Sequence, residues 1–176
     1  MLIDFGVAEH VEATAVGHPG QRIFFLRLLG EVDHSAALKL EKQHLIGLGA
    51  ALAELLDQSG FQGSPRTAGV ANFPTTAEYE FRVGQLGVGY LREEGRIALE
   101  ARDVNAENVP DVAIIRVRFA PDQGAVLIQQ LRDLVQSGRP VCPLCGQGID
   151  PEGHACPHSN GHSQQPIPDE RRDDEE

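Results

Sequence analysis

The residues richest in chemistry are Cys142, Cys145 and Cys156, which fall within one short window, whereas the 141 residues before them contain no cysteine. An odd, clustered set of thiols in a chain whose start, Met1-Leu2-Ile3-Asp4-Phe5, lacks a basic and apolar leader points to metal rather than to disulfides. Cys142 and Cys145 form a C-x2-C pair followed at once by Gly146, the pattern of a zinc knuckle, in which a tight turn aims backbone N–H groups at thiolate sulfurs. Zinc takes four nitrogen or sulfur ligands at tetrahedral corners, so three thiolates and one imidazole would close a structural site. Three histidines are in reach. Spacing favours His154, two residues before Cys156; His162, six residues after it, is the runner-up, and His158 comes last because it follows Pro157 so closely. Such a site is saturated and thiolate-rich, hence weakly Lewis acidic and a poor activator of water.

Catalytic readings of the same residues are weaker. Pro140-Val141-Cys142-Pro143-Leu144-Cys145 has an outward likeness to the P-C-x-x-C of zinc deaminases, but Val141 separates the proline from the cysteine. The one H-x-E that such an enzyme needs, His10-Val11-Glu12, lies in a predicted strand at the far end of the chain. No βαβ context supports a thioredoxin-like role for Cys142 and Cys145. Gly84, Gly87 and Gly89 precede no helix and no Lys-Ser/Thr, so they mark strand irregularities rather than a phosphate loop. Glu41 with His44, and Glu93 with Glu94, read as solvated helix and turn residues rather than acid/base pairs. The Gly17 to Arg22 turn reads as structural.

The metal segment is too polar and too short to build a core of its own, so the ion would supply its folding energy, and the rest of the chain must be a separate body. Val11 to Val16 and Arg22 to Leu28 are rich in β-branched and aromatic residues and flank Pro19-Gly20, which reads as a hairpin. A third strand is expected at about Ser35 to Leu40. Leu45, Leu48, Leu52, Leu55 and Leu56 then recur at helical spacing up to Ser59-Gly60, where the glycine suits a left-handed cap. Residues 61–77 read as a long loop, either mobile or laid across a face with Phe61, Val70 and Phe73 as anchors. A second cycle follows: a bent strand opening at Glu80 to Val83, a turn at Glu93-Glu94-Gly95, strands at Arg96 to Arg102 and about Val112 to Phe119, and a helix begun by Pro121 that carries Leu127, Leu131, Leu134 and Val135.

A shift of 79 residues lays Ala36, Leu38 and Leu40 on Ile115, Val117 and Phe119, and the leucines of the first helix on Leu127, Leu131, Leu134 and Val135. We therefore expect an α+β fold made of two strand-strand-strand-helix repeats (about 11–60 and 79–138, linker 61–77), forming an antiparallel sheet with both helices on one face. Residues 1–139 would be this domain, 140–162 the zinc knuckle and 163–176 a disordered acidic tail.

At the quoted motifs the chain resembles a mainly actinobacterial family catalogued as domain of unknown function 3090. The resemblance rests on Cys142 to Gly146 (CPLCG), Asp150 to His154 (DPEGH) and Cys156 to Gly161 (CPHSNG), with Pro19-Gly20-Gln21-Arg22, Leu40-Glu41-Lys42-Gln43 and Phe81-Arg82-Val83-Gly84 upstream. It covers nearly the whole chain and implies no activity for any residue. His154 falls within the family's GH-x-CP pattern, which strengthens its place as fourth ligand.

Charge and hydropathy narrow the function. Lys and Arg total 15 against 26 Asp and Glu, a net charge of -11 that repels phosphate backbones, so no nucleic acid partner is expected. The longest apolar runs, such as Ile23 to Leu26 and Val112 to Ile115, fall far short of the roughly 20 residues of a membrane span. The expected protein is cytoplasmic and non-enzymatic, a protein-binding or regulatory module with a protein partner and a structural zinc site. The alternative is a small-substrate enzyme with its site between the two repeats, near the 61–77 loop.

Overall fold

A computed structural model of the chain describes residues 1–18, 21–31, 34–63, 65, 73–107, 113–137, 142–145, 149 and 156–157. The chain divides into two units, Met1–Arg139 and Pro140–Glu176. In the first, seven strands and two helices follow one another: β1 (Leu2–Val7), β2 (His10–Val16), β3 (Ile23–Leu29), β4 (Ser35–Leu40), α1 (Lys42–Ser59), β5 (Tyr79–Leu91), β6 (Arg96–Asp103), β7 (Ile114–Phe119) and α2 (Pro121–Ser137). A short 3-10 turn, Val104–Glu107, follows β6.

Local signals account for most of these elements. α1 ends at Gly60, whose φ of 68° is the left-handed cap expected of it, and α2 begins at Pro121, where a missing N–H costs nothing. The hairpin between β2 and β3 closes with Gln21 N–H donating to His18 O at 2.9 Å; Pro19 and Gly20 themselves lie outside the described residues. Register slips between Val83 and Gln85, so the expected irregularity of β5 is a bulge at Gly84. Glycine is needed there because a Cβ would stand 2.7 Å from Val104 Cα.

The strand order is β1-β7-β6-β5-β4-β3-β2. Four pairings are antiparallel, but β1 with β7 and β4 with β5 are parallel. The expected antiparallel sheet is therefore corrected to a mixed one: a helical crossover from β4 through α1 returns the chain to the same end of the sheet, and the next strand must run parallel. Strand β1, which periodicity passed over, is a short strand whose partner β7 is more than 100 residues away. Although β1 and β2 stand at opposite ends of the order, only Ala8 and Glu9 join them. Ala8 N–H donates to Arg118 O at 2.7 Å and Glu9 N–H to Leu29 O at 2.9 Å, so these two residues carry the chain from the end of β7 to the end of β3.

All seven strands and both helices share one core. Phe5, Leu26, Leu28, Leu38, Ile97, Leu99, Ile115, Val117 and Phe119 point into it from the sheet, and Leu45, Leu48, Leu52, Leu127, Ile128 and Leu131 from the helices. Each fully buried side chain of this size contributes about 1.5–3 kcal/mol over its exposed state.

Strands β2-β3-β4 and β5-β6-β7 are each an antiparallel meander followed by a helix. Leu38 pairs with Leu26 and Leu26 with Ala13, while Val117, 79 positions on from Leu38, pairs with Leu99 and Leu99 with Val88. The helix starts match as well: Glu41 N–H donates to His44 Nδ1 at 3.2 Å, and Ala120 N–H to Gln123 Oε1 at 3.0 Å.

Of the three proposed anchors of the 61–77 loop, Phe73 lies under the Arg27 guanidinium, 5.1 Å from its ring centre, and Phe61 is half-buried; Val70 is outside the described residues.

Candidate metal centre

The described residues of the second unit centre on the three thiols. Cys142 is buried, and Cys145 and Cys156 are partly exposed. The three sulfurs lie within 4.8 Å of one another, Cys142 and Cys156 at 3.8 Å. Thiolates bound to one zinc ion at about 2.3 Å on tetrahedral corners would sit about 3.8 Å apart, so the cluster needs only small adjustments to meet around an ion.

The turn Pro143–Cys145 folds back on the first cysteine. Backbone N–H groups of Cys145 and Leu144 point at the Cys142 sulfur and hold its thiol down to about 7 from an ordinary 9.0. Hydrogen bonds to the charged form are what a thiolate ligand requires before it meets a cation. This is the chemical consequence of the C-x2-C spacing: two residues between the cysteines let the chain reverse, so the second sulfur and two amide hydrogens face the first.

The structure thus brings together Cys142, Cys145 and Cys156. His154, His158, His162, Gly146 and the 163–176 tail lie outside the described residues.

His10, Glu12, Glu41 and Glu94 make side-chain contacts within the first unit. His10 Nε2 lies 3.2 Å from Glu12 Oε2, and the other Glu12 oxygen lies 3.3 Å from Arg27, so Glu12 bridges the buried His10 ring and the Arg27 guanidinium. Arg82 pairs with Glu41 and holds its carboxyl below the usual range. Glu94 faces Arg118 at 3.7 Å.

One constellation carried no sequence signal, because its members are 44 positions apart. His34 Nδ1 lies 2.8 Å from Glu78 Oε2, and the His34 ring stacks on Phe5 at 5.3 Å. That contact with His34 lowers the Glu78 pKa, while the Glu78 carboxylate raises that of Tyr79. Glu78 N–H also donates to Ser35 Oγ at 3.0 Å, so the group joins the start of β4 to the start of β5.

Fold and site define an α+β protein with a seven-strand mixed sheet, two helices and a C-terminal cysteine cluster able to hold a metal ion. The chain belongs to the family described as Protein of unknown function (DUF3090), whose sequence pattern matches residues 3–156. No curated protein and no solved structure gives a significant match. Among the described residues, no helix is long and apolar enough to cross a membrane.

Proposed function

We propose that the protein is a cytoplasmic, non-enzymatic binding or regulatory module in which an internally duplicated α+β domain is followed by a structural zinc site. The observation that carries this reading is the convergence of three sulfurs within 4.8 Å, with backbone N–H groups aimed at Cys142. Three thiolates and one imidazole saturate zinc and leave it no open position for water or substrate, so the ion serves the fold of its segment. The shared pairing register of the two meanders supports the duplication.

The enzyme reading ranks second. Two clefts formed by described residues are each lined by one ionisable group, Arg132 between α1 and α2 and His44 between α1 and β5, and general acid/base chemistry usually needs more than one. Purification of the zinc-loaded protein from native extract tests the choice. A stoichiometric protein partner is expected; a chain that stays alone and turns over a small metabolite would overturn the module reading.

His154 completes the proposed ligand set with Cys142, Cys145 and Cys156. The family match runs through His154 and ends at Cys156, before His158 and His162. His154→Ala is therefore expected to weaken zinc retention at least about tenfold in a chelator competition, and His162→Ala to leave it near wild type. The reverse order would move the fourth ligand to His162 while leaving the site in place.

The acidic chain should also fail to bind generic duplex DNA or RNA at physiological salt, because counterion release needs a basic face. Fluorescence anisotropy checks this, and salt-dependent micromolar binding would contradict it.

A further inference from the structure

The two halves differ at one strand edge. Among the described residues, strand β2 has β3 as its only ladder partner, and β5 beyond Arg82 has only β6, so each presents one edge with no described strand beside it. On β2 that edge is capped: Gln130 of α2 reaches across, and its Oε1 accepts the Ala13 N–H at 2.9 Å. The pairing chains above place Val88 where Ala13 stands, and the 79-residue shift places Ala51 of α1 where Gln130 stands. Alanine has no group to offer. The same shift sets Gly47 against Val126. A cleft of about 270 Å³ lies at this place, between Gly47, Ala51 and His44 on α1 and Leu86 to Val88 on β5. A Cβ at Gly47 or Gly87 would meet nothing within 4 Å.

Ladder alternation shows which backbone groups face outward. Asp103 N–H donates to Ala113 O, on the β7 side, so residues 103, 101, 99 and 97 of β6 direct their backbone groups toward β7. Their β5 partners Leu86, Val88 and Tyr90 then turn N–H and C=O away from β6, into the uncovered edge. Among the described residues, no hydrogen bond caps Val88 there. His44 Nδ1 is occupied by the Glu41 N–H, which leaves the proton of the neutral ring on Nε2 as a further donor beside the cleft.

We propose that this edge of β5 is a docking site for an extended peptide segment of a partner protein, which adds a strand to the sheet beside α1. What the edge accepts is indicated by its counterpart, where a carboxamide oxygen takes the Ala13 N–H; a peptide carbonyl presents the same group to Val88. Alternating outward N–H and C=O groups suit an extended backbone, and main-chain bonds of this kind give affinity in strand addition. The cleft lining holds no carboxylate and no guanidinium, so small uncharged side chains fit opposite Gly47 and Ala51. A single strand needs about 4.8 Å beside its neighbour. A second copy pairing β5 to β5 would bring its own α1 into the same gap, which disfavours self-association. Natural proteins cover free edges, and among the described residues this half lacks the cover that Gln130 gives the other.

The inference rests on the reading of the protein as a binding module, and the experiment has two arms so that the edge and the binding fail separately. In the first, amide hydrogen exchange of the full-length protein should show Val88 exchanging faster than Ala13, and Ala51→Gln, which supplies the missing cap, should slow Val88 about tenfold. Equal protection of Val88 and Ala13 in the unaltered chain would overturn the open edge. In the second, a displayed library of linear peptides is selected on the zinc-loaded protein. Enriched peptides should protect Leu86, Val88 and Tyr90, bind about tenfold or more weakly to Ala51→Gln and to Gly47→Val, and lose binding when alternate amides are N-methylated. An open edge that enriches no peptide, peptides that map to another surface, or a concentration-dependent dimer abolished by Ala51→Gln would each overturn the assignment.

Discussion

Serine in place of Cys142 is expected to release the metal ion and to leave the C-terminal segment without a defined fold, while Met1–Arg139 keeps its structure. The separation follows from where the apolar material lies. The residues of the hydrophobic core all belong to the first unit, the last of them being Leu131, so the core does not depend on the ion. The segment around the thiols has few apolar groups to bury, and the bound ion provides its cohesion. A hydroxyl at position 142 stays protonated near neutral pH and cannot serve as the thiolate that the Cys145 and Leu144 N–H groups are set to stabilise. Elemental analysis of protein purified without added metal should give about one zinc per chain, and close to none for the variant. Chelation of the unaltered protein should reproduce the variant: amide signals of the C-terminal segment collapse, and those of the sheet stay. A metal content near zero in the unaltered protein, with all three thiols titrating as free, would end the zinc reading. So would a variant that retains its zinc.

Phe119→Ala should cost about 3–5 kcal/mol of stability, among the largest expected effects of a single truncation in the first unit. Phe119 is fully buried at the end of β7, opposite Ile97, and its ring edge lies where a Cβ on Gly124 would be 3.6 Å away. Helix α2 comes this close to the sheet because position 124 carries no side chain, so the cavity left by the ring is bounded by backbone that cannot collapse easily into it. A domain is commonly stable by about 5–15 kcal/mol, so the change consumes a large share. Urea unfolding should show a lower midpoint with an unchanged slope, since the surface exposed on unfolding hardly alters. Val16→Ala is the control. That side chain is 55% exposed, and its loss should move stability by less than about 0.5 kcal/mol. A cost below about 1 kcal/mol for Phe119→Ala would mean that the end of β7 is not close-packed against α2.

Much of this architecture is legible without coordinates. The strands β2, β3, β4, β6 and β7 and both helices stand close to where alternation and helical spacing put them, because each signal is local: a buried face repeats every two residues on a strand and every three to four on a helix. Gly60 and Pro121 act through their own φ preferences, which no distant residue needs to confirm. The thiols were legible for a similar reason. Ligand chemistry belongs to the residue type, and a C-x2-C turn forms within four residues.

What depended on distant partners was not legible. Residues 2–7 become a strand only because β7 lies beside them, and nothing in their own pattern names that partner. Parallel and antiparallel neighbours give the same side-chain period, so the direction of the β4–β5 and β1–β7 pairs could not be read from alternation. The expected antiparallel sheet failed on that point. The sequence by itself determined which segments are strands and helices, which face of each is apolar, and which thiols can share an ion. Tertiary structure decided which strands are neighbours, that Ala8 and Glu9 carry the chain from β7 to β3, and that Gln130 accepts the Ala13 N–H at the edge of β2. The physical reason is range: rotamer, φ and hydrophobic preferences act within a few residues, whereas pairing is settled by hydrogen bonds and packing between groups that only the folded chain brings together.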